Sequence, residues 1–103
     1  MAISGAFGLM GSTYFVGASA VQIPSPGTPL NCAMRIRNLS GSVQYFAWGN
    51  SSVSAPVAPT QGSPSANTVG MVGGSVEVFM LPPGAWLIAS SATGFEVTAG
   101  EGV

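Results

Sequence analysis

The stretch Gly74-Ser75-Val76-Glu77-Val78-Phe79-Met80-Leu81, closed by Pro82-Pro83-Gly84 and followed by Trp86-Leu87-Ile88-Ala89, decides the fold class. Its first part alternates. Val76, Val78 and Met80 fall on one side of an extended chain, and Glu77, Phe79 and Leu81 on the other. Branched and aromatic residues at this density favour a strand over a helix. Proline presets φ at one turn position and glycine accepts positive φ at the next, so Pro82-Pro83-Gly84 fits a type II turn. Residues 86–90 then read as a returning strand. Ala92-Thr93-Gly94 turns the chain again, residues 95–98 form a last strand, and 99–103 are a tail.

Upstream the same grammar repeats. Residues 32–39 alternate, with Cys32, Met34 and Ile36 on one side and Arg35 and Arg37 on the other. Asn38-Leu39-Ser40-Gly41-Ser42 is a tight turn, and residues 43–48 are a strand that is apolar on both sides. Val43 and Tyr45 lie on one side of it and Phe46 and Trp48 on the other, so both must be covered, by the fold or by a partner. Residues 12–23 are a long strand with a bulge or bend expected at Gly17. Pro24-Ser25-Pro26-Gly27-Thr28-Pro29 lacks the donors of a helix or central strand and reads as an extended linker. Residues 49–67, with three prolines and no charge, form the longest irregular segment, expected to be exposed and to touch a neighbour. No window carries a helical stripe. Many short strands between turn clusters mean an all-β sandwich or barrel, and 103 residues make one domain.

Charge narrows the function classes. Charged residues are 5 % of the chain: Arg35, Arg37, Glu77, Glu96 and Glu101, with no Lys, His or Asp. Two arginines make neither a phosphate-neutralising patch nor a polybasic membrane segment, which argues against nucleic acid and membrane as partners. Without His, Asp or Lys, general acid–base catalysis lacks most of its usual groups, and the chain is expected not to be an enzyme. No stretch approaches the length of a bilayer span. The apolar N-terminus ending Ala18-Ser19-Ala20 lacks a basic region and is broken by glycines, against a signal peptide.

Few residues remain to carry chemistry. Cys32 is the only cysteine, with no histidine to activate it, and reads as a buried structural thiol. Glu77 and Glu96 would serve a hydrolase only if paired; a cross-strand partner such as Arg35 or Arg37 is the simpler expectation. Gly70-Met71-Val72-Gly73-Gly74 lacks the lysine and helix of a phosphate loop, and no ligand spacing suits a metal. No catalytic, cofactor-binding or metal residue is therefore assigned. The candidates for a protein interface are Arg35, Arg37, Tyr45, Trp48 and Trp86, because arginine forks and aromatic rings suit contact surfaces. The three aromatics would alternatively form a sugar-binding platform.

From residue 31 onward the chain resembles small head-decoration, or cement, proteins of tailed bacteriophages. Three stretches carry the resemblance. They are Met34-Arg35-Ile36-Arg37-Asn38-Leu39-Ser40 with Phe46-Ala47-Trp48-Gly49, the alternating stretch quoted first with its Pro-Pro-Gly turn, and Val97-Thr98-Ala99-Gly100-Glu101-Gly102. Similar phage proteins tend to have proline where Ala99 stands. The resemblance implies a small antiparallel β-sandwich, jelly-roll-like, formed by residues 31–103; residues 1–30 lie outside it and read, from their prolines, as an extended N-terminal arm and linker laid on a neighbour. It implies a dimer or trimer that binds the major capsid protein on the outside of the virion, made in the host cytoplasm, with no cofactor. A carbohydrate- or receptor-binding module of a phage tail or fibre is the alternative.

Overall fold

The fold is taken from a computed structural model, which describes residues 8–24, 32–82 and 84–101, with only the backbone of 8–11, 32 and 101. Eight strands follow one another: β1 (Gly8–Val16), β2 (Val21–Gln22), β3 (Cys32–Asn38), β4 (Gln44–Gly49), β5 (Thr68–Met71), β6 (Val76–Leu81), β7 (Trp86–Ala89) and β8 (Phe95–Glu101). They form two antiparallel four-stranded sheets, in the orders β1-β8-β3-β6 and β2-β7-β4-β5. The pairs β1·β8, β2·β7, β3·β6 and β4·β5 make one long antiparallel ribbon. Pairing of β3 with β8 and of β4 with β7 rolls that ribbon into a sandwich. This is the connectivity of a jelly roll.

The roll changes how the turns are read. The chain leaving β6 does not return along β6; it crosses to the other sheet, where β7 lies between β2 and β4. Ala85 N–H still donates to Pro82 O at 3.2 Å, and Gly84 has φ 68°, as the turn chemistry requires. Only β4 and β5 are consecutive neighbours in one sheet. The single long strand expected over residues 12–23 is two strands in different sheets. Gly17 marks the crossing, and the irregularity of register falls between Leu9 and Thr13 instead. The described part of the expected arm, residues 8–24, thus supplies an outer strand to each sheet, while residues 1–7 and 25–30 of the arm and linker lie outside the described residues. Residues 99–101, expected as tail, extend β8, which is paired on both sides by β1 and β3.

Alternation builds the core. Met34 and Ile36 of β3, Val97 and Ala99 of β8, Leu87 and Ala89 of β7, and Met71 of β5 are all buried. The Cys32 side chain, expected with them, lies outside the described residues. Phe46 of β4 joins the layers. Its ring lies 5.5 Å from Phe95 and 5.4 Å from Phe79 of the opposite sheet, both edge-to-face, and 6.3 Å from Trp48. Such pairs add to the burial of large apolar rings. The strand expected to be apolar on both sides therefore sends Phe46 and Trp48 into the sandwich.

Two buried amides organise one end. Asn38 donates through Nδ2 to Ser42 O, Met71 O and Val72 O at 3.0–3.2 Å. Its Oδ1 accepts Ser40 N–H at 2.9 Å and Gln44 Nε2 at 2.8 Å. Gln44 also donates to Gly94 O and accepts from Gly94 N–H and Ser91 Oγ. The turns after β3, β5 and β7 are thereby tied together. Gly94 is held here at φ 71°, and a Cβ on it would stand 2.3 Å from Val16 O, so no other residue fits.

Two stability predictions follow from this packing. Asn38→Leu strands several buried donors and acceptors and should cost at least about 2 kcal/mol in urea unfolding. Phe46→Ala should cost roughly 3–5 kcal/mol by the same measurement.

Candidate interaction surface

The outer face of the β1-β8-β3-β6 sheet follows directly from register. One row across it reads Phe15, Glu96, Arg37, Val76; the next reads Thr13, Thr98, Arg35, Val78; a third reads Gly100, Ala33, Met80. Large apolar side chains stand at both margins, with Phe15 56 %, Val76 43 %, Val78 37 % and Met80 50 % exposed. Between them lie the chain's only two cations. The Thr13 and Thr98 hydroxyls share a hydrogen bond of 2.7 Å. A Cβ on Gly17 or Gly94 would come within about 3 Å of the Phe15 ring, which is therefore seated on backbone although open to solvent.

Electrostatics on this face are weak and unsaturated. Arg37 Nη1 lies 3.5 Å from Glu96 Oε1, with the two side chains 51 % and 41 % exposed. An ion pair so wetted contributes about 1 kcal/mol at most, but it satisfies the expected cross-strand pairing. Among the described residues Arg35 has no ion-pair partner. Both arginines lie on the outward side of β3, and among the described residues the Arg37–Glu96 contact is their only ion pair.

The aromatic candidates lie on the other sheet and are not brought together. Trp48 is on the inner side of β4, half-buried against the core. Tyr45 and Trp86 belong to the outer side. Trp86 faces Gly49, whereas Tyr45 faces Gly70, near the opposite end of β4. A Cβ on Gly70 would stand 2.8 Å from the Tyr45 ring, which explains a glycine inside β5. The three rings therefore form no common platform: Arg35 and Arg37 lie on one outer face of the sandwich, Tyr45 and Trp86 on the opposite one, and Trp48 between the sheets.

Residues 50–67 are largely exposed, as expected, and are held by hydrogen bonds to β4 and within the segment. Trp48 N–H donates to Asn67 O, and Asn67 Nδ2 donates to Trp48 O. Ser65 Oγ donates to Val57 O at 2.6 Å, and Thr60 and Ser63 bridge each other. Together with Ala47, Trp48 and Gly49 this segment walls an open groove of about 460 Å³ that contains no charged side chain. The polar groups in its walls are mostly engaged with the loop itself.

Glu77 and Glu96 do not form a carboxylate pair. Glu96 is on the outer face of β8. Glu77 is in register with Ile36 on the inner side of β6, and β3 separates the two strands. Among the described residues no cluster of His, Cys, Asp and Glu is suited to a metal. Sequence reasoning passed over Phe15, Val76, Val78 and Met80 as surface residues. The alternation of β6 groups Val76, Val78 and Met80 on one side, but both of its sides are apolar except for Glu77, so parity alone does not say which side is outer. No family model, no curated protein and no solved structure matches the chain.

Because its ion pair is exposed, Arg37→Ala should change unfolding free energy by less than about 1 kcal/mol. A larger loss in chemical denaturation would contradict the geometry described.

Proposed function

We propose that this protein is a structural virion subunit, a capsid decoration or cement protein that binds the major capsid protein and stabilises the assembled shell from outside. The observation that carries the proposal is the outer face of the β1-β8-β3-β6 sheet: four exposed large apolar side chains around the only two arginines of the chain. A face of that composition on a charge-poor domain is suited to being covered by protein. The central arginines supply directional, bidentate contacts, and the apolar margins exclude water around them. The action is mechanical. A subunit docked across the joint between two capsid proteins adds buried interface that must be broken before the shell opens. The chain's resemblance to cement proteins gives the partner its identity, and the protein takes part as a homo-oligomer.

A second reading, a carbohydrate- or receptor-binding module of a phage tail or fibre, draws on the groove beside Trp48. It has Asn and Ser groups in its walls and one indole at its edge. Sugar-induced quenching of tryptophan fluorescence, together with a glycan array, distinguishes it from the first.

For the leading reading, quantitative mass spectrometry of purified particles should find the chain at a fixed ratio to the capsid protein. Its absence from particles overturns the proposal. The Arg35→Ala/Arg37→Ala double variant should bind particles roughly 10-fold or more weakly while remaining folded. Unchanged binding would remove this face from the interface.

A further inference from the structure

Among the described residues the edge of β6 away from β3 has no strand partner, and the docking face leaves it unused. The two sheets have four edge strands, β1, β6, β2 and β5. Natural sheets protect such edges against unwanted pairing. The β1 ladder is broken between Leu9 and Thr13, β2 has 2 residues, and β5 has 4 with Gly70 in its middle. By contrast β6 runs 6 residues in unbroken register with β3 and has neither proline nor lysine. Its single charge is Glu77.

The phase of the ladder shows which groups β6 offers. Asn38 N–H donates to Ser75 O at 2.9 Å. Bonded pairs recur at every second residue of an antiparallel ladder. Glu77, Phe79 and Leu81 therefore turn their backbone groups toward β3, and Val76, Val78 and Met80 turn theirs to the free edge. These same three residues carry the exposed aliphatic side chains of the outer face.

We infer that β6 pairs antiparallel with β6 of a second copy about a two-fold axis at Val78. In that register Val78 faces Val78 of the second copy, and Val76 faces its Met80. Each exposed aliphatic then meets another, and every outward N–H and C=O of the three residues is used, for about six backbone hydrogen bonds. Neighbouring registers are poorer. Pairing about Glu77 sets two carboxylates face to face. Pairing about Phe79 brings Val76 against Pro82, which has no N–H to give. An axis perpendicular to the sheet keeps both outer faces on one side. The result is a single eight-stranded surface with Arg35 and Arg37 of both copies on it. As an assembly this stands on the edge geometry alone; that it doubles the docking area on a shell rests on the function proposed above.

Light scattering and sedimentation of the intact chain at tens of micromolar should give twice the 10.2 kDa chain mass. Val78→Lys places like charges directly opposite and should give a folded monomer by circular dichroism, whereas Val43→Lys, away from the edge, should stay dimeric. A wild-type monomer, a trimer, or a dimer unaffected by Val78→Lys overturns the inference. Should Val78→Lys fail to fold, Val78→Cys decides. Facing α-carbons in a bonded pair are about 5.5 Å apart, within disulfide range, so mild oxidation should link two copies. The parent chain, holding only Cys32, and Val43→Cys are the controls, and no link above theirs overturns the pairing. A monomer that still decorates particles at stoichiometric ratio sinks the edge pairing and the homo-oligomer with it, and leaves the decoration reading standing. A dimer absent from particles sinks the decoration reading alone.

Discussion

The hydrogen-bonded pair Asn38 and Gln44 is the constraint on which the architecture turns. Both amides are buried, one at the end of β3 and one at the start of β4. A buried amide without partners is costly, so their bonds act as a geometric condition on everything within reach. The condition is met only when the turns after β3, β5 and β7 converge on them. Three chain reversals far apart in sequence are thus fixed relative to each other. With them are fixed the registers of the strands that enter and leave. Gly94 contributes the close approach to Val16 that brings β1 against this end.

The rest of the sandwich is packing about Phe46. Its contacts with Phe79 and Phe95 commit β6 and β8 to one layer facing β4 in the other. That commitment decides the surface as well as the core. With Phe79 and Leu81 inward, Val76, Val78 and Met80 must face out, where Arg35 and Arg37 of the neighbouring strand also lie. Core formation and the display of a sticky face are two sides of one alternation, and the low charge of the chain leaves little to mask that face.

How far the sequence could be read differs between elements. The strands at 32–38, 44–49, 76–81 and 86–89 were legible within a residue or two, because period-two alternation and Gly/Pro turns are local signals. β5 was not, because four residues with a glycine carry too little pattern and the glycine serves the Tyr45 ring above it. The outward placement of Arg35 and Arg37 was legible, since alternation with buried Met34 and Ile36 puts both cations on the other side of β3. The aromatic half was misleading: Trp48 belongs to the inner side of β4, and only the fold separates it from Tyr45 and Trp86.

By itself the sequence determined an all-β chain of short strands, the alternation within each, and a surface almost without charge. These follow from the geometry of an extended backbone and from turn chemistry, which act over a few residues. Tertiary structure alone decided that successive strands mostly change sheets, that the chain rolls into β1-β8-β3-β6 against β2-β7-β4-β5, and which side of β6 meets solvent. Parity says which residues share a side. When both sides are apolar, only long-range pairing and the demands of buried amides and rings say which side is inside.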